Sequence, residues 1–274
     1  MTIHVRQAIG PEETRTYDTA RLREQFLIEE LFSPGQVRMT YSHLDRTIVG
    51  GAVPDGAPLE LPTPKPVGCP NFCDRREIGV FCIAGSGSLA LDGERIGLAA
   101  GDCLYVPKGT GSVVFEGGDA QFYFVSTPAH RSYPMRKIRR DEAIRHDLGE
   151  VAEANIRTLR QYIHPDVTGS CQLVMGMTTI ASGSTWNTMP CHVHDRRSEV
   201  YFYFNLAKAT RVFHFMGEPS ETRHIVVADR QAVLSPGWSI HCGSGTGPYS
   251  FIWSMAGDNQ DFTDMDFVEM EDLR

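Results

Sequence analysis

The stretch Asp195-Arg196-Arg197-Ser198-Glu199-Val200-Tyr201-Phe202-Tyr203-Phe204 decides the fold, because it has an earlier counterpart in Asp74-Arg75-Arg76-Glu77-Ile78-Gly79-Val80-Phe81-Cys82-Ile83. In both, a charged turn leads into a run of β-branched and aromatic residues, the composition of a strand. The order of features continues in parallel. A Gly/Ser turn, Ser88-Leu89-Ala90-Leu91 and Gly101 to Pro107 follow the first copy; Thr210 to His214 and Gln231 to Pro236 follow the second. The Asp-Arg-Arg triplets are 121 residues apart (195 minus 74) and the prolines 129 (236 minus 107), so the second copy carries a loop-sized insertion. This internal duplication predicts an all-β chain of two tandem barrels or sandwiches, each of about 120 residues. The expected boundaries are an N-terminal domain over 1–130, a polar connector over 131–160 that has room for a short helix, and a C-terminal domain over 161–274.

Upstream of the duplication, Asp18 or Thr19 can cap a short N-terminal helix with Leu22, Phe26 and Leu27 on one face, and Ser33-Pro34-Gly35 stops it. Val37, Met39 and Tyr41 then alternate with polar neighbours, as in a half-buried strand. At 274 residues with 41% hydrophobic and 22% charged, the chain is long and apolar enough for a real core. Lys+Arg 26 against Asp+Glu 34, with no basic block, argues against nucleic acid as a partner. No signal-peptide core and no apolar run of about 18 residues is present, so a cytoplasmic protein without a membrane partner is expected. The seven irregularly spaced cysteines read as free thiols, Cys69 and Cys73 included, since no second pair follows at zinc-finger spacing.

The second copy holds Cys191-His192-Val193-His194 before Glu199, and Pro236-Gly237-Trp238-Ser239-Ile240-His241 further on. Residues two apart on a strand share a face, so His192 and His194 can grip one ion. Glu199 can meet them from the next strand, and His241 after the Pro-Gly turn. Three imidazoles and a carboxylate suit a first-row divalent ion without choosing among Zn²⁺, Mn²⁺, Fe²⁺, Co²⁺ and Ni²⁺. The first copy has Asn71 and Cys73 where the second has His192 and His194, and Ser112 stands five residues after Pro107. Glu77 is the one ligand position that survives there, so the first copy is expected to bind no metal.

The pattern H-x-H-x4-E followed by P-G-x3-H resembles the metal motifs of the cupin superfamily, which implies two tandem cupin-like β-barrels. A closer resemblance covers almost the whole chain. Tyr41-Ser42-His43-Leu44-Asp45-Arg46, Trp186 to His192, Glu199 to Phe204, Glu221 to Val226 and the closing Asp272-Leu273-Arg274 are similar to the 5-keto-4-deoxyuronate isomerases of pectin breakdown. That resemblance implies an aldose-ketose isomerase acting on a small anionic sugar, one zinc held by His192, His194, Glu199 and His241, and a homohexamer.

A ketol isomerase must remove an acidified proton and stabilise an enediolate. By strand parity Tyr201 and Tyr203 face the same way as Glu199; Tyr203 is taken as a catalytic candidate, with barrel packing the competing role for Tyr201. Arg196, Arg197 or Arg223 could hold the substrate carboxylate bidentately, and His224 beside Arg223 could shuttle a proton. Trp238 and Trp253 are expected to wall the pocket. An iron-dependent cupin dioxygenase and the isomerase of 5-deoxyglucuronate share much of this pattern and are the alternatives. A non-catalytic sugar binder would be expected to lose the motif in both copies.

Overall fold

Four sheets carry nearly all the regular structure, and they come in two matching pairs. The computed structural model describes residues 3–258 and 264–274. The first seven-stranded sheet runs His4–Arg6, Gln36–Ser42, Ile48–Val53, Gln121–Pro128, Arg76–Ala84, Cys103–Val106, Arg136–Ile138. A four-stranded sheet goes with it: Leu59–Glu60, Val113–Glu116, Ser86–Leu91, Glu94–Ala99. The second pair repeats this order. Its larger sheet is Ile144–Leu148, Arg157–Ile163, Val174–Ile180, Ser250–Gly257, Arg197–Phe204, Gln231–Ser235, Leu27–Ile28, and its smaller one is Trp186–Asn187, Cys242–Gly245, Val212–Glu218, Glu221–Val227. The duplication expected from the two Asp-Arg-Arg stretches is therefore present strand for strand.

The compact units do not follow the sequential boundaries at 130 and 160. One unit comprises the segment ending at Arg6 with Glu30–Ile144 and Tyr162–Met175; the other comprises Gln7–Glu29, Arg145–Gln161 and Gly176–Arg274. Pairing across long sequence separations is the cause. Leu27 and Ile28 pair with Val233 and Ala232, so an N-terminal strand closes the edge of the second unit's sheet. Helix Thr19–Phe26 starts where expected, with the Asp18 carboxylate accepting from Arg21 N at 2.8 Å. It ends earlier than Ser33, because Leu27 turns extended to enter that strand. The 131–160 region holds strands and a single 3-10 turn, Val151–Glu153, in place of the expected short helix.

Register corrects one part of the sequence reading. Ile78 pairs with Val106 and with Ser126, and Glu199 pairs with Ser235 and with Met255. Both partners are 129 residues further on (235 minus 106, 255 minus 126), so Ile78 occupies the place of Glu199, 121 residues earlier. Glu77 therefore matches Ser198, not Glu199. A strand alternates faces with period two, so that one-residue difference turns Glu77 to the opposite side of its sheet. Ile78, Val80 and Cys82 face the first unit's core with Leu104, Phe115, Phe122 and Phe124. Each such buried side chain contributes roughly 1.5–3 kcal/mol. All four ligand positions are thus replaced in the first unit, by Asn71, Cys73, Ile78 and Ser112.

Glu77 itself is fully buried and saturated with donors. One oxygen accepts from Gln172 N (2.7 Å), Leu173 N (2.9 Å) and Thr127 Oγ1 (3.2 Å); the other accepts from Cys171 N (2.7 Å) and Tyr105 Oη (2.8 Å). A carboxylate offers about four lone-pair sites, so none is left over for an ion.

Candidate metal centre

Glu199 lies near the start of the interior strand Arg197–Phe204, locked between two neighbours by the Ser235 and Met255 pairings. His192 belongs to the two-residue strand His192–Val193, which pairs with Asp266–Phe267, and His194 follows one pleat on, so the two rings come together at 4.7 Å between centroids. The Pro236-Gly237 turn delivers His241. Its backbone packs so closely under the histidine segment that a Cβ on Gly237 would meet His194 O at 2.5 Å, while His194 N donates to Gly237 O at 3.1 Å. Glycine is needed there by close approach.

All four side chains are buried, and one ligand atom from each lies within 4.8 Å of the others. His192 Nε2 is 3.2 Å from His194 Nε2 and 3.0 Å from His241 Nε2. Glu199 Oε2 is 3.5 Å from His194 Nε2 and 3.0 Å from His241 Nε2. Donors about 2.0–2.2 Å from one ion stand about 2.9 Å apart at a right angle and about 3.4 Å apart at the tetrahedral angle. The observed spacings fall in that band, so the residues fit a first-row divalent ion.

Their protonation agrees. Burial, then the neighbouring His241 and His194, push the His192 pKa down to about 2, which keeps its ring neutral and its lone pair available. Burial alone would raise Glu199, but His241 and His194 beside it hold its carboxyl well below the usual carboxylate range. His241 Nδ1 lies 3.2 Å from Ser239 O; donating there leaves Nε2 free to ligate. His194 Nδ1 is 3.4 Å from Asp264 Oδ1, which also accepts from Arg197 Nη2.

A cavity of about 290 Å³ opens beside this cluster. His192, His194, Glu199, Tyr201, Arg157 and Arg197 supply its polar lining, and Met189, Phe251, Trp253, Met255, Met265 and Phe267 supply apolar wall. Arg197 is 2% exposed, and its Nε and Nη1 have no hydrogen-bond partner among the described residues. Tyr201 Oη lies 3.4 Å from Thr188 Oγ1, and burial, reinforced by the Glu199 charge, raises its pKa well above normal.

Of the sequence candidates, the structure brings His192, His194, Glu199, His241, Arg197 and Trp253 to this place. Tyr203 is not among the residues lining the cavity. It faces the same way as Tyr201 but one pleat deeper, fully buried, with Oη 2.8 Å from His214 Nδ1. Tyr201, which the sequence left divided between packing and chemistry, is the tyrosine at the cavity. Arg223 and His224 lie on Glu221–Val227, two strands away from Cys242–Gly245 in their sheet. Arg223 donates to Arg15 O and pairs with Glu221; His224 is exposed, its ring 5.9 Å from Phe213. Arg196 is exposed and paired with Asp258, and Trp238 donates its indole N–H to Ile9 O at 3.1 Å. Sequence reading missed Arg157 and Asp264. Arg157 and Leu159 line the cavity at strand spacing, but nothing local says which face turns inward.

Two four-plus-seven-stranded β units, one carrying a buried three-histidine, one-glutamate cluster, define a two-cupin protein with one candidate metal centre among the described residues. Solved structures agree on the fold. An IolB-like protein from Salmonella typhimurium matches with TM-score 0.68 at 16% identity, over 89% of this chain and 96% of that one. Oxalate decarboxylase from Lactobacillus farciminis matches with TM-score 0.61 at 12% identity, over 89% and 88%. The chain belongs to the KduI/IolB family, whose family model matches residues 27–270. Among its relatives is a protein from Cereibacter sphaeroides named 4-deoxy-L-threo-5-hexosulose-uronate ketol-isomerase, 52% identical over 272 residues and 99% of both chains. Proteins of the same name from Rhizobium meliloti (numbered 1; 52% identity over 278 residues, 100% of this chain and 99% of that one) and Halalkalibacterium halodurans (50% over 273 residues, 98% and 99%) are also similar.

Proposed function

We propose that this protein isomerises 5-dehydro-4-deoxy-D-glucuronate to 3-deoxy-D-glycero-2,5-hexodiulosonate, an aldose-ketose step of uronate and pectin breakdown. The observation that carries the reading is a buried His₃Glu cluster sharing one cavity with a buried guanidinium that keeps two donors free. Relatives at about half identity over nearly the full chain bear that activity in their names.

The substrate has an aldehyde at C1, a hydroxyl at C2 and a carboxylate at C6. Isomerisation moves a proton from C2 to C1 and the hydroxyl proton from O2 to O1. A divalent ion held by His192, His194, Glu199 and His241, zinc in this reading, supplies the Lewis acid that lowers the cost of the enediolate. Arg197 binds the carboxylate from Nη1, which has no hydrogen-bond partner among the described residues, and Asp264 holds the guanidinium in place by accepting from Nη2. Tyr201, kept protonated by burial, donates from Oη to a sugar oxygen. The Met, Phe and Trp wall excludes water, which strengthens each of these contacts.

The test is metal analysis together with an isomerase assay. One zinc per chain is expected, with metal and activity lost together in His241→Ala and Glu199→Gln. Full activity in chelator-stripped protein would overturn the mechanism. Offering 5-deoxyglucuronate in the same assay decides the substrate, and oxygen uptake with an iron-loaded sample would favour a dioxygenase. The same reading carries a homohexamer in the cytoplasm, which sedimentation and cell fractionation measure; no helix among the described residues is long and apolar enough to cross a membrane.

A further inference from the structure

Five of the seven cysteines are buried; Cys69 and Cys171 are partly exposed. Cys171 differs from Cys69 in what surrounds its sulfur. His130 Nδ1 lies 2.9 Å from Cys171 Sγ, and the backbone N–H of His130 donates to the same sulfur at 3.2 Å. Both partners are anchored to one short stretch of chain. Ala129 N donates to Arg75 O at 2.8 Å, and Cys171 N donates to the Glu77 carboxylate at 2.7 Å. The pair is thus held in contact by hydrogen bonds from the chain's own backbone N–H groups, one to a carbonyl and one to the buried Glu77 carboxylate. His130 is exposed and Cys171 is partly exposed, so solvent reaches the pair. Neither residue lines the cavity in the other unit, and the isomerisation uses neither.

We propose that Cys171 and His130 form a nucleophilic pair in the first unit, a modification site for small soft electrophiles, and for hydroperoxides in particular. A nucleophile and a base within hydrogen-bond reach, the base oriented by its own backbone contact, is the arrangement that makes a cysteine reactive. With hydrogen peroxide, the sulfur lone pair attacks one peroxide oxygen, forming the S–O bond as the O–O bond breaks. The thiol proton passes to His130 Nδ1 and on to the departing oxygen. Cys171 is oxidised by two electrons to a sulfenic acid, and the peroxide is reduced to water. The backbone N–H on His130 stabilises negative charge that develops on sulfur during proton transfer.

The experiment treats the native protein with iodoacetamide and follows alkylation at Cys171 and Cys69 by peptide mass spectrometry. Cys171 is expected to react about tenfold faster than Cys69. His130→Ala should bring Cys171 down to the Cys69 rate while isomerase activity and circular dichroism stay at wild-type values. Hydrogen peroxide followed by a sulfenic-acid trap should label Cys171 in the wild type and leave it unlabelled in Cys171→Ser and strongly reduced in His130→Ala. Equal rates at the two cysteines, or a Cys171 rate that His130→Ala leaves unchanged in folded protein, overturn the proposal.

Discussion

Replacing Glu77 by glutamine tests whether Glu77 and Glu199 have the different roles that register assigns them. The wild-type side chain receives five donors, three on one oxygen and two on the other. Glutamine replaces one oxygen by an NH₂ group whichever way the amide is turned. With the NH₂ on the two-donor side, the Tyr105 hydroxyl can rotate to accept, but Cys171 N–H is left facing another donor. The remaining contacts lose their charge-assisted strength. Hydrogen bonds to a charged group contribute about 1.5–3 kcal/mol and an orphaned buried donor costs about 1–3 kcal/mol, so the loss is about 3–5 kcal/mol. An unfolding entropy of about 2.1 cal/mol/K per residue turns this into a Tm drop of roughly 5–9 °C if the whole chain melts together. The assay is calorimetry on metal-loaded protein with zinc measured on the same sample. Glu77→Gln should melt early and keep its full zinc content. Glu199→Gln should do the reverse, folding with near wild-type stability once compared metal-free, with metal affinity down at least about 100-fold. A Glu77→Gln protein that melts within about 2 °C of the wild type, or that loses its zinc, would refute the register argument.

Arg197→Lys removes the planar fork but keeps a charge; KM for the uronate should rise about 10–100-fold with zinc content unchanged, read by steady-state kinetics and metal analysis. Tyr201→Phe should lower kcat about 100-fold, whereas Tyr203→Phe, one pleat deeper, should leave kcat within about threefold and cost about 1 kcal/mol through its lost contact with His214. Burial, helped by His241, depresses His214 to about 3, while in the unfolded chain it titrates near 6.5. The unfolded state therefore binds the extra proton between these values. Stability is full above about pH 6.5 and falls on acidification toward pH 3 by up to about 1.4 kcal/mol per pH unit. Denaturant titrations of metal-free protein at pH 7 and pH 5 should show this slope added to that of His192, whose pKa is likewise depressed, and His214→Gln should remove the His214 share and leave the rest.

Much of the site was legible because it rests on local periodicity. His192 and His194 are two apart, Glu199 opens a strand-like run, and Pro236-Gly237 precedes His241, so short-range geometry alone aims four ligands at one region. Arg157, which lines the cavity, and Asp264, which contacts His194 and Arg197, were invisible because they come from distant segments with no motif around them. Tyr203 was misplaced by a different limit: parity specifies a face, not a depth, and the cavity admits Tyr201 alone of the two.

The residues by themselves determined an all-β chain built by duplication, with ligand chemistry kept in its second copy. Only tertiary structure decided which residues correspond. The Asp-Arg-Arg alignment tempts one to skip Ser198 and match Glu77 with Glu199, yet the paired strands put Ile78 there and turn Glu77 to the other face of its sheet, where it is a buried five-donor anchor. Likewise, nothing near Leu27 and Ile28 announces that they close a sheet edge against Val233 and Ala232, some 200 residues away. Local sequence encodes alternation, whereas register and strand order are set by which distant backbone groups satisfy one another, and a one-residue difference there exchanges core for the opposite face.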